Sequence, residues 1–194
     1  MKRTGLLAAL AMAFGSAHAI QPDDPQQVFW DNLSELCDSS FYGEVEAYAL
    51  PMDDGWKDQE IVMHVRECSD EEIKIPLHVG DNRSRTWVLT RTGEGIRLKH
   101  DHRFEDGSED PVTWYGGHTS DPGRGWRQSF PVDAYSQGLF YAEDLQPSVT
   151  NVWSMEVHPE DFFAYELTRP NRHLRVTFDL TEEAETPPAP WGHD

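Results

Sequence analysis

The chain reads as an all-β protein, an antiparallel up-and-down barrel of about nine or ten strands with one short helix at its N-terminal end. Three observations predict this. Apolar residues recur with a period of two in segment after segment from residue 41 to 180. These segments are short and separated by Gly, Pro, Asn and Asp turn signals. There is neither a GxGxxG fingerprint nor an alternation of strands with helical patterns, which a parallel α/β sheet would need. A two-sheet sandwich would give much the same pattern; barrel closure is preferred because sequence neighbours pair throughout and no edge need stay open.

The first nineteen residues have the three parts of a secretory signal: Lys2 and Arg3, an apolar run over 6–14, and a small-residue end at Ala17-His18-Ala19. The run is too short to span a bilayer. Cleavage after Ala19 is expected to leave one domain over 20–180, exported to the periplasm or beyond the cell, followed by an acidic, Pro-rich tail over 181–194 with too little apolar surface to fold. The 194 residues carry 35 acidic and 16 basic groups, a formal charge of −19. That balance repels phosphate backbones and anionic headgroups, so nucleic acid and membrane surfaces are poor partners, whereas cationic ligands and metal ions are better ones.

Taken in order, 25–37 spaces Val28, Phe29, Leu33 and Leu36 as a helix, with Asp24 as N-cap and Pro25 in the first position. Strands are expected over 41–50, 61–66, 73–79 and 86–90. Residues 95–117 then form a hairpin around the acidic turn at Asp106-Gly107, and 118–127 a long loop. The stretch 128–149 is open between the end of a strand and a turn or two of helix. Three further strands follow over 152–157, 162–167 and 173–180. Cys37 and Cys68 are expected to form a disulfide, which suits an oxidising compartment; it would close a loop of about thirty residues and add about 3 to 4 kcal/mol.

The short helix, the strand opening at Phe41-Tyr42-Gly43 and the meander after it resemble the calycin barrels, lipocalins and their relatives, although Glu44 and Val45 follow Gly43 where lipocalins have Gly-x-Trp. That resemblance implies a small apolar or cofactor ligand inside the barrel. The segments Ser84-Arg-Thr-Trp-Val-Leu-Thr90, His100-Asp-His-Arg103, Asp106-Gly-Ser108 and Tyr115-Gly-Gly117 are similar to a family of uncharacterised bacterial exported proteins, a likeness that implies no activity.

Chemistry concentrates in the central hairpin. Alternation puts Ile96, Leu98, His100, His102 and Phe104 on one face, so two imidazoles point into an apolar interior. A His-x-His pair on one strand face is a common contribution to a zinc, copper or iron site, and His118 is the nearest third ligand, with Asp106 and Asp110 next. Without a metal, the same pair with Trp87, Trp114 and Tyr115 would line a ligand site at the barrel mouth. Asp101 points the other way, and His64 and His78 read as surface residues. Arg83, Arg85, Arg91 and Arg103 read as turn-holding partners of nearby carboxylates. No Gly-x-Ser-x-Gly or His-Glu-x-x-His motif is present. Three functional classes stay open: a small-ligand or metal-binding barrel, a metal-dependent hydrolase using the same histidines, and an interaction module with no small ligand.

Overall fold

The computed structural model describes residues 24–47 and 54–193; the expected signal segment lies outside them. The chain is an antiparallel barrel. Helix α1 (Pro25–Ser34) starts where expected, the Asp24 carboxylate accepting from the Gln26 amide at 3.0 Å, and buries Phe29, Trp30 and Leu33. It ends one turn early because the chain breaks at Asp38, whose left-handed backbone (φ 66°) aims its amide at the Val65 carbonyl, 2.8 Å away. Then come β1 (Ser40–Ala47), a single turn α2 (Asp54–Lys57), β2 (Ile61–His64), β3 (Glu67–Cys68), β4 (Glu72–Val79), β5 (Asn82–Thr92) and β6 (Gly95–His102). The second half holds β7 (Tyr115–His118), β8 (Arg127–Pro131), α3 (Ala134–Ala142), a 3-10 turn (Gln146–Thr150), β9 (Val152–His158), β10 (Phe162–Arg169) and β11 (Arg172–Glu183). The stretch that was open in the sequence is therefore both a strand and a helix.

Strand order around the wall is β7-β6-β5-β4-β2-β1-β11-β10-β9-β8, with β3 added to β4. First and last strands pair, Gly43 opposite Phe178, which joins the two halves of the meander. The remaining seam, between β7 and β8, is held by a bridge from Gly117 to Val132 and by the Asp133 amide donating to the Gly116 carbonyl at 2.9 Å. Glycine is required there: a Cβ on Gly117 would fall 1.8 Å from the Pro131 carbonyl oxygen.

Inward alternation fills the barrel with Ile73, Ile75, Leu77, Trp87, Leu89, Leu98, Trp153, Met155, Val157, Phe163, Val176 and Phe178, all buried. Helix α1 plugs one end. Its Gln26 side chain donates to Thr119 Oγ1 at 3.0 Å, and the Arg91 guanidinium lies 5.0 Å over the Trp30 ring. The Cys37–Cys68 disulfide ties the end of this plug to β3, with Cα atoms 6.3 Å apart.

Two expectations need correction. Residues 181–193 are not an unfolded tail: β11 runs to Glu183, Pro190 is buried, and the segment doubles back along the outside of β4, β5 and β6. Backbone and side-chain bonds fix it, from Arg83 Nη1 to the Ala189 carbonyl (2.8 Å), from the Trp191 amide to the Arg83 carbonyl (3.1 Å), and from His193 Nε2 to the Asp101 carboxylate (2.8 Å). Composition argued against folding, but the tail needs no core of its own when a finished wall offers partners. His64 and His78 do face outward, yet both are buried, and His78 lines the groove beneath the tail.

Candidate functional site

At the end opposite the plug the barrel opens into a cavity of about 450 Å³. Two adjacent inward positions on β5 (Arg85, Trp87) face two on β6 (His102, His100) in strand register. Tyr115 on β7 is registered against His100 and completes the row. Trp153, Tyr165, Leu167 and Leu174 form the far wall, and Trp56, Phe140, Ser148, Asn151, Arg169 and Arg172 stand around the mouth. The wall is largely apolar and aromatic side chains, as in small-molecule sites generally, and the volume lies in their usual range.

The imidazole of His100 is held from both sides. Its Nδ1 is 3.1 Å from the Tyr115 carbonyl and its Nε2 2.9 Å from the Tyr165 hydroxyl. A carbonyl only accepts, so Nδ1 carries the proton, and Nε2 then accepts from the Tyr165 O–H. The Tyr115 ring stacks on this imidazole at 4.6 Å, and its hydroxyl lies 3.1 Å from His102 Nε2. One tyrosine thus positions both histidines, the first through its backbone and the second through its side chain.

Burial dominates the electrostatics. It pushes His100 down to about 3, with the neighbouring His102 adding to the effect, and His102 down to about 4, with Arg85 adding there. The same desolvation raises Tyr115 to about 12 and Tyr165 well above its ordinary value. At neutral pH the site therefore presents two neutral imidazoles and two protonated phenols beside arginine, since each charged alternative loses its hydration.

Of the residues expected in the site, Trp87, His100, His102 and Tyr115 converge on this cavity. Trp114 does not. It precedes β7 with a left-handed backbone (φ 56°), and its Nε1 donates to the Glu109 carboxylate at 2.9 Å, so it borders a separate outer groove with Lys99 and Tyr135. His118 is also turned away, because register pairs it with outward-facing Arg97 while Tyr115, three residues earlier, faces in. Asp106 is exposed and bonds Ser108; Asp110 caps the Val112 amide at 2.6 Å. Among the described residues no three His, Cys, Asp or Glu side chains are grouped to hold a metal. Both ring nitrogens of His100 already have partners. The His100, His102 and His118 set therefore does not fit zinc, copper or iron.

Arg85, read from the sequence as a turn-holding partner, lines the site as well, with Tyr165 and Trp153, which were not among the expected site residues. The signal was available, since Arg85, Trp87 and Leu89 share one strand face. Among the described residues Arg85 has no carboxylate partner, its Nη1 donating to the Asn82 side-chain oxygen at 3.0 Å. Asp101, by contrast, faces out as expected and is buried under the tail, bonded by Arg103 Nε at 3.0 Å and by His193. No family model, curated protein or solved structure matches the chain.

Proposed function

We propose that this is an exported binding protein that carries a small, largely apolar ligand inside the barrel, against Trp87 and Trp153 and with its polar end at the His100, His102 and Tyr115 row. The observation that carries the reading is the cavity itself, about 450 Å³ left open at one end of a barrel otherwise filled by large side chains. Cores are packed nearly as densely as organic crystals, so an open pocket of this size lined by apolar rings beside a fixed hydrogen-bonded row departs from core packing in the way small-molecule sites do. A ligand enclosed by the strands is also what the calycin resemblance implies. The disulfide and the signal-like first nineteen residues support a site of action outside the cytoplasm.

Phenylnaphthylamine, a neutral aromatic probe whose emission rises in apolar surroundings, tests this. Binding is expected to saturate at one site and to weaken about tenfold or more in Leu174→Phe, where a larger ring occupies part of the space. Saturable binding unaffected by that substitution would place the probe elsewhere and overturn the reading.

A further inference from the structure

Resting on the ligand-in-barrel reading, we propose that the ligand is an organic anion, its acid group received by Arg85 and its apolar body lying against Trp87 and Trp153. Thirty-five carboxylate side chains are available, and on the outside of the wall they meet the arginines directly: Arg103 bonds Asp101, Arg127 bonds Glu156 and Glu166, and Arg175 bonds Glu46 and Glu156. The cavity differs at Arg85. This arginine lines it together with Arg169 and Arg172, and among the described residues no carboxylate bonds Arg85, whose Nη1 donates to Asn82 instead.

Arg85 is half-buried and registered opposite His102. Its guanidinium lies 5.3 Å from the Trp56 ring centroid and donates to the amide oxygen of Asn82. Five N–H donors sit in a rigid fork suited to a planar acid group. A half-desolvated guanidinium that, among the described residues, meets an amide and a ring but no carboxylate is an expensive arrangement without a bound anion. An anion entering the mouth relieves it through short, charge-assisted bonds. Beside it the His102 imidazole and the Tyr115 hydroxyl are both uncharged, so they can hydrogen-bond an acid group without adding a negative charge of their own. The Tyr115 hydroxyl and the His102 imidazole stand 3.1 Å apart beside the fork.

The test compares two probes with the same aromatic body, anilinonaphthalene sulfonate and neutral phenylnaphthylamine, on the full mature chain. In Arg85→Gln the affinity ratio of sulfonate to neutral probe is expected to fall about tenfold or more, the scale of one charge-assisted hydrogen bond. Arg124→Gln, an equal change of charge at an exposed position toward the plugged end, should leave the ratio alone. Arg85→Lys, which keeps the charge but loses the fork, should fall between. Binding of the neutral probe to each variant reports that its cavity is intact. If the neutral probe binds every form and the ratio ignores Arg85, the anion assignment is wrong while the carrier reading survives. If neither probe binds the wild type, both fail.

Discussion

At the scale of single residues, the decisive feature is a histidine kept neutral. His100 is 3 % exposed and fully bonded, so it accepts a proton in the folded chain only near pH 3, against an ordinary value of 6.5 in the unfolded one. Between those values the unfolded chain binds more protons than the folded one. Acid therefore destabilises: nothing is lost above 6.5, and the loss grows as pH falls toward 3, by up to about 1.4 kcal/mol per pH unit for this residue. His102 acts in the same direction down to about pH 4. Urea midpoints measured from pH 7 to 5 should fall, and His100→Gln should flatten that fall. Superimposable pH profiles for wild type and variant would show that the buried imidazole is not neutral.

At the scale of elements, the plug and its tether explain why the cavity opens at one end. Helix α1 fills the other end with Phe29, Trp30 and Leu33, and the Cys37–Cys68 disulfide, spanning 31 positions, fastens it to the strand beside β4. Replacing both cysteines by serine should cost about 2 to 5 kcal/mol in urea unfolding under oxidising conditions, while reduced wild type should resemble the variant. An unchanged midpoint would mean that the tether contributes nothing. Elements such as these were legible because each needs only local information: cap residues for α1, period two for the strands, and redox chemistry for the cysteines. What escaped was decided between elements. The tail lacks any apolar run and folds only because Arg83, Asp101 and the outer faces of three strands accept it. The His118 placement depended on the β6–β7 register, where Gly116 lets β7 approach Leu98 too closely for any Cβ.

At the scale of the whole molecule, the barrel closes in two places of different strength. The β1–β11 pairing runs from Phe41 to Ala47 with two register shifts, whereas the β7–β8 seam is a single bridge plus one further backbone bond at Gly116 and Gly117. Because Tyr115 enters the site from β7, this weak seam also sets the position of both histidines. Gly117→Ala should push the seam apart, cost more than about 3 kcal/mol and weaken probe binding along with stability, as circular dichroism melts and the neutral probe would report. Near-native stability in that variant would mean that the seam tolerates separation. Barrel and sandwich were indistinguishable in the sequence for a related reason, since closure rests on the pairing of chain-distant strands that no local pattern encodes. The fold class was nevertheless readable through strand parity, which also turned Trp87, His100 and His102 to the inward face where the cavity lies. Arg85 obeyed the same parity and was missed because its charge suggested the surface.

The central claim is that the His100, His102 and Tyr115 row forms the polar end of a ligand cavity, and imidazole nitrogen resonances test it most directly. In the free protein His100 should appear as the neutral, Nδ1-protonated tautomer at pH 6. On titration with phenylnaphthylamine the His100 and His102 signals should move together, while those of His118 and His193, outside the barrel, stay in place. A titration that shifts His118 or His193 and leaves His100 untouched would contradict the account.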